Sequence, residues 1–201
     1  MSAADQERGT DLDPLALRLV VIVDLAPDGL VPLDRVRAAL RGGATLLQAR
    51  GKGCAARDLL AGCRLLLPLC RRAGVPLFVN DRPDVALAAG ADGAHVGPED
   101  LPPEAARRVL GGRGLGVSAR TPERARLAEA AGASYLGVGA LRATGSKQDA
   151  IPIGLEGIGA VIAATRLPVV AIGGVRPEDA APLKRIGAGG IAVVSGVMGA
   201  E

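Results

Sequence analysis

The sequence predicts an α/β fold, a single (β/α)8 barrel of the TIM type, on three observations. Eight short runs rich in β-branched and aliphatic residues recur at intervals of roughly 20 to 25 residues, the period of a βα unit. Stretches rich in Ala, Leu and Arg, with helical periodicity, lie between them. Small-residue turns of Gly and Ala precede strand after strand, as in RGGATLL, AGADGAHV, AGASYLGV and IGAGGIAV, which is how a helix ending in Gly returns to the next strand of a repeating unit. With 201 residues and 49% apolar content the chain can bury one substantial core, at the short end of what such a barrel needs. An open doubly wound sheet is the alternative that the same alternation allows.

The elements follow in order. Residues 1–17 open with the polar MSAADQERGTDLDP and are expected to form a mobile tail, leaving 18–201 as the barrel domain. Strand 1 is LRLVVIVD, around 18–25, and its near-continuous apolar run suits a strand covered on both faces. Then come a helix over 32–42, strand 2 ATLLQAR (44–50), a helix over 54–73, strand 3 PLFVN (76–80) and a helix over 83–90. Strand 4 is DGAHVG (92–97), followed by a helix over 102–110 and strand 5 GLGVS (114–118). The helix over 121–131 opens with TPERA, with Thr121 as N-cap and Pro122 in the first turn. Strand 6 is SYLGVG (134–139), and a helix over 155–165 leads to strand 7, PVVAIGG (168–174). A helix over 177–186, opening at Pro177, leads to strand 8, GIAVVS (190–195). Only GVMGAE follows, so the last helix is expected to be short or missing, which leaves a place for a partner chain and hence for a homodimer.

Composition excludes several classes of function. The net charge is a modest +3 with both signs interspersed, and one Phe, one Tyr and no Trp leave little to stack on bases, so nucleic acid is not an expected partner. Cys54, Cys63 and Cys70 fit neither a redox CxxC pair nor a zinc cluster and read as small hydrophobes. The N-terminus lacks the basic flank and apolar core of a signal peptide, and no apolar run reaches membrane-spanning length unbroken. The expectation is a soluble, cytoplasmic protein without membrane association.

In a barrel the chemistry sits where strands end. The polar residues there are Gln48, Arg50 and Lys52 after strand 2, Asn80 and Asp81 after strand 3, and His95 and Asp100 around strand 4. Ser118 follows strand 5, Thr144, Ser146 and Lys147 follow strand 6, Gly173 and Gly174 follow strand 7, and Ser195 follows strand 8. Two of only three lysines therefore fall on this face, in a chain that elsewhere uses Arg. Gln48, Arg50 and Lys52 alternate at period two and project to one side. A cationic pair facing inward needs an anion, although a salt-bridged strand end has the same pattern. The glycines after strands 7 and 8 expose backbone N–H groups at expected helix starts, a phosphate cradle or simply tight turns. Gly174 is expected to offer its N–H to a phosphate through space that a side chain would fill. Asp81 and Asp100 could share one hard cation such as Mg²⁺ or serve a salt-bridge network. His95, the sole histidine, is either a hydrogen-bonded core residue or catalytic, and no Ser or Cys has a histidine near it in sequence. Cations, a place for a hard cation and two anion cradles suit a substitution in which diphosphate leaves better than acyl transfer.

From about residue 18 to 199 the chain resembles the thiamine phosphate synthase family, a group that also includes the thiazole tautomerase TenI. The segments that carry the likeness are QARGK, VNDRPDVALAAGADGAHVGPEDL, GVSART, GVGALRATGSK and VAIGGV with GGIAVVSGV, in the family's order. The resemblance implies a barrel enzyme, a transferase of thiamine biosynthesis that joins hydroxymethylpyrimidine diphosphate to thiazole phosphate, two small-molecule substrates, with release of diphosphate. It implies that Gln48 contacts the pyrimidine and that Arg50, Lys52, Asn80, Ser118 and Lys147 face the diphosphate, with Arg50, Ser118 and Lys147 the catalytic set. It further implies Mg²⁺ on Asp81 and Asp100, Thr144 and Ser146 on the thiazole side, and the thiazole phosphate on Gly174 and Ser195. A TenI-like tautomerase or a non-catalytic, phosphate-ligand-binding regulatory relative is the alternative.

The chain departs from the family's pattern at Gly51, where an acidic residue is common, and at Pro98, in place of a polar one. The loop after strand 6 reads Gly-Ala-Leu-Arg-Ala-Thr-Gly-Ser-Lys, where the family has Gly-Pro, an aromatic, another Pro and a second Thr. Ala140, Arg142 and Gly145 are expected to make that loop less rigid, with Arg142 outside in solvent and Lys147 folding over the diphosphate.

Overall fold

Hydrogen bonding between neighbouring strands runs the whole way round in the computed structural model, which describes residues 12–143 and 151–194. The chain order is β1 (Leu19–Asp24), α1 (Leu33–Arg41), β2 (Leu46–Arg50), α2 (Ala56–Ala73), β3 (Leu77–Asn80), α3 (Pro83–Ala89), β4 (Gly93–Val96) and α4 (Pro103–Leu110). It continues with β5 (Gly114–Ser118), α5 (Pro122–Ala130), β6 (Tyr135–Gly139), α6 (Gly154–Ile162), β7 (Val169–Ile172), α7 (Ala180–Arg185) and β8 (Gly190–Val193). All eight strands are parallel and lie in sequence order, and β1 closes the barrel by pairing with both β2 and β8, so that Val20 stands opposite Leu46 on one side and Ala192 on the other.

The period of two along each strand divides the apolar residues into two cores. Val21, Val23, Leu47, Ala49, Leu77 and Val79 point outward and are buried against the helices. Val20, Ile22, Leu46, Phe78, Tyr135, Val170 and Ala192 point inward and fill the barrel, with Leu17 packed among them. The chain's only two aromatic residues both sit inside it, their ring centroids 5.9 Å apart. Glycines on the facing strands make the room: a Cβ at Gly114 would lie 2.4 Å from the Phe78 ring, and one at Gly116 would lie 2.4 Å from both the His95 and the Tyr135 ring.

Most boundaries fall within three residues of expectation, and two differences alter the architecture. Within the segment expected to be a tail, Pro14–Leu17 form a 3-10 turn capped by Asp13, whose carboxylate accepts from the Leu15 N–H, and Leu17 is fully buried. The ordered body thus begins before residue 18, because Leu17 stoppers the N-terminal end of the barrel. After β7 the expected helix is split. Pro177–Asp179 form a 3-10 turn and α7 is only six residues long, because the Asp179 carboxylate accepts from the Arg176 N–H at 2.8 Å and closes the turn first. Thr121 caps α5 as expected, accepting from the Arg124 N–H. The place of the short or missing final helix lies outside the described residues.

Candidate active site

At the C-terminal ends of the strands a cavity of about 770 Å³ opens, reaching down to Val20 and Ile22 and lined at its mouth by residues from all around the barrel. Gln48, Arg50 and Lys52 all line it, as the period of two requires. Gln48, 3% exposed, is hydrogen-bonded to the buried Tyr135 hydroxyl. Arg50 stands opposite Asp24 in the β1–β2 register, and its Nη1 donates to the Asp24 Oδ1 at 2.7 Å. That carboxylate sets the guanidinium's direction at the mouth.

His95 fits the slot left by Gly116 and Gly137. Its Nδ1 lies 3.0 Å from the Tyr135 hydroxyl and its Nε2 lies 3.0 Å from the Ser118 Oγ. Since each hydroxyl can donate or accept, the imidazole is held in place in either tautomer. His95 is thus both a hydrogen-bonded core residue and part of the cavity wall. Ser118 does have a histidine beside it, brought from another strand, contrary to what sequence proximity implied. The group on the far side of that imidazole is a phenol and not a carboxylate, so the arrangement orients Ser118 more than it activates a nucleophile.

Asp81 follows β3 in the left-handed region, at φ 65°, with its N–H donating to the His95 carbonyl at 2.7 Å. This turn carries the Asp81 carboxyl up to that of Asp100. Burial, and then the neighbouring Asp100, push the Asp81 carboxyl up to about 6, against the downward pull of Arg50 and Lys52. Asp100 is itself held by the Gly97 N–H, which donates to its Oδ2 at 2.7 Å. Two carboxyls set side by side next to cationic groups form a donor set suited to a hard divalent cation, with the remaining ligands supplied by water or substrate oxygens. Among the described residues no group of three His, Cys, Asp or Glu side chains comes together, so the described residues supply two ligands at most from this set.

Across the mouth, Gly173, Gly174 and Val175 line the cavity. Gly173 and Gly174 have φ of 85° and 67°, a conformation that favours glycine, and the chain beyond β6 lies against them. Arg142 reaches back over this turn. Its guanidinium forms a two-pronged pair with Asp179, with Nη2 to Oδ1 at 2.7 Å and Nη1 to Oδ2, and Nη1 also donates to the Gly174 carbonyl at 3.2 Å.

The comparisons with known proteins agree with this fold. The family model described as thiamine monophosphate synthase matches residues 19–197. The chain belongs to that family. It is 51% identical to a thiamine-phosphate synthase of Moorella thermoacetica over 183 residues, covering 90% of this chain and 87% of the relative. With a thiamine-phosphate synthase of a Roseiflexus species it shares 54% over 169 residues, 83% of this chain and 72% of the other. Among solved structures, the thiamine phosphate pyrophosphorylase of Pyrococcus furiosus superposes with a TM-score of 0.85 at 41% identity, covering 94% of this chain and 90% of that one.

Of the residues that the likeness to the thiamine monophosphate synthase family singled out, Gln48, Arg50, Lys52, Asn80, Asp81, Asp100, Ser118 and Gly174 all line the one cavity. Thr144, Ser146, Lys147 and Ser195 lie outside the described residues. Arg142 is exposed as expected, its side chain 44% accessible, but its guanidinium is also tied to Asp179, a carboxylate only 7% exposed that requires a cationic partner. One expectation is corrected. A side chain at Gly174 would not fill a phosphate's path; its Cβ would lie 2.9 Å from the Arg142 Cβ and 3.2 Å from the Ala143 carbonyl, and so would push the β6 segment away. The helix start after β7 is also too short to contribute much dipole, so backbone N–H groups of the turn are the donors on offer. Sequence reasoning passed over Tyr135, Asp24, Arg120 and Arg124. Tyr135 shares the inward face with Gly137 and Gly139, and Asp24 ends strand 1, so both carried the same signals as the residues that were found. Arg120 and Arg124 line the rim, and Arg120 donates to the Ile151 carbonyl, a contact across 31 residues without a local signature.

Proposed function

We propose that the chain joins hydroxymethylpyrimidine diphosphate to thiazole phosphate, releasing diphosphate and forming thiamine phosphate. The observation that carries this reading is the Asp81–Asp100 carboxyl pair beside Arg50 and Lys52 at one wall of a cavity whose other wall is the Gly173–Gly174 turn. Substrates with a diphosphate and a phosphate need two separate anion sites, and a tautomerase would need only the second. The C–O bond between the pyrimidine's methylene and the diphosphate breaks with its electron pair on the diphosphate. The thiazole nitrogen's lone pair then forms the C–N bond to the methylene, whose positive charge the aminopyrimidine ring has spread.

Gln48, fixed by Tyr135 deep in the cavity, presents its amide to the pyrimidine. Arg50, Lys52 and Asn80 take the diphosphate oxygens, with Ser118 oriented toward them by His95. Lys147 belongs to the same proposal, as a cation against the leaving diphosphate, and Thr144, Ser146 and Ser195 to the thiazole phosphate's side. Asp81 and Asp100 would hold Mg²⁺, which when bound supplies positive charge to the leaving diphosphate. Among the described residues no helix is long and apolar enough to cross a membrane.

The test is to mix both substrates with Mg²⁺ and follow thiamine phosphate and diphosphate. Turnover should require the metal and fall at least about tenfold in Asp81→Ala and Asp100→Ala, since losing charge stabilisation commonly costs more than that. Full turnover in excess EDTA, or undiminished activity of both variants, would remove the carboxylate pair from the reaction. Absence of thiamine phosphate from the wild type under any metal would remove the reading itself.

A further inference from the structure

The chain beyond β6 is zipped onto the chain beyond β7 by a ladder that ends in a side chain. The Leu141 N–H donates to the Ile172 carbonyl and the Arg142 N–H to the Gly173 carbonyl, each at 3.0 Å. The Arg142 Nη1 then donates to the Gly174 carbonyl at 3.2 Å. In a planar trans peptide the carbonyl and the following N–H point in opposite directions. Holding the Gly173 and Gly174 carbonyls on the β6 side therefore turns the N–H groups of Gly174 and Val175 away from the β6 segment, and both residues line the cavity. Among the described residues neither N–H donates to a carbonyl. Arg142 itself is fixed by both carboxylate oxygens of Asp179, and Asp179 accepts in addition from the Arg176 N–H, so one buried carboxylate joins the Arg142 guanidinium to the far end of the same turn.

We propose that Arg142, clamped by Asp179, is a positioning residue that builds the phosphate receptor for the second substrate by aiming the Gly174 and Val175 N–H groups into the cavity. It acts through the backbone and touches no reacting atom. The proposal rests on the reading above that the thiazole phosphate binds at this turn. In this chain an arginine–carboxylate pair does the holding where the loop's sequence had suggested slackness.

The experiment is a titration of 15N-labelled protein with thiazole phosphate, read at the Gly174 and Val175 amide resonances, together with steady-state kinetics in both substrates. In the wild type both resonances should move. Arg142→Ala should weaken thiazole phosphate binding about tenfold or more, the usual scale for a lost charge-assisted bond, and raise its KM in step. The kcat at saturation and the KM of the pyrimidine diphosphate should stay within about threefold. Arg142→Lys keeps a positive charge beside Asp179 and so guards the fold, but a point charge cannot hold the carboxylate and the Gly174 carbonyl together, so it should show the same split in smaller measure. If the resonances move in the wild type but both variants bind with unchanged affinity, the clamp has no positioning role. Equal losses for both substrates in both variants would make it a structural support only. Resonances that stay still in the wild type would overturn the phosphate's placement, and the clamp's role with it.

Discussion

Asp81 shows most directly how the site's demands oppose the fold's. Its carboxyl is buried against a second carboxyl, so the folded chain holds its proton up to about 6, against 3.8 for a free side chain. A carboxyl whose folded pKa is raised binds its proton more tightly in the fold than in the open chain. Its contribution is therefore most favourable below about pH 4, declines as pH rises through about 6, and stays at the lower level above. Asn replaces the charge with a neutral group of the same shape and also tolerates the left-handed backbone there. In metal-free buffer, Asp81→Asn should raise the melting temperature at pH 8 and leave it unchanged at pH 4, while thiamine phosphate formation collapses. Differential scanning calorimetry at the two pH values checks this, and an equal or lower melting temperature at pH 8 would mean that the carboxyl carries no such cost. Stability surrendered for activity at one residue is a common exchange in enzymes.

Strands β4, β5 and β6 carry glycine on their inward faces because three rings, of Phe78, His95 and Tyr135, already occupy the space. Gly116→Ala would place a methyl group where His95 and Tyr135 meet, so it should cost about 1–3 kcal/mol, the range for overpacking, and loosen the hold on Ser118. Urea unfolding measures the first effect and turnover the second; a variant with wild-type values for both would show the interior to be roomier than its distances imply. The strands were legible in the sequence because each lies between two apolar layers and ends at a small-residue turn, signals contained within a dozen residues. Most of the site was legible for a similar reason: Gln48, Arg50, Lys52, Asp81 and Asp100 sit at strand ends, where barrel topology collects them. The Arg142–Asp179 pair and the His95–Ser118 contact were not, because 37 and 23 residues separate the partners and nothing in either local pattern marks the other. The 3-10 turn at Pro14–Leu17 was read as a tail because polar neighbours hide the single leucine that matters.

At the scale of the whole molecule, that leucine closes the end of the barrel opposite the site. Leu17 is fully buried among Val20, Leu46, Phe78 and Ala192, and its carbonyl lies so near Gly190 that a Cβ there would be 1.8 Å away. Leu17→Ala should lower the unfolding free energy by about 2–5 kcal/mol, as for other core leucines, with the KM values of both substrates unchanged because the site is at the other end. Chemical denaturation with parallel kinetics tests both halves; a variant as stable as the wild type would return this stretch to a loose tail. The closure of β8 on β1 has a further effect on how the molecule lives among copies of itself. An open sheet always exposes two rows of unpaired N–H and carbonyl groups on which a second chain can add a strand, the usual start of ordered aggregation. Here every strand among the described residues has a neighbour on each side, so the barrel offers no such template. Sticking together through the sheet would first require the ring to break, which links resistance to aggregation directly to the stability of the closed barrel.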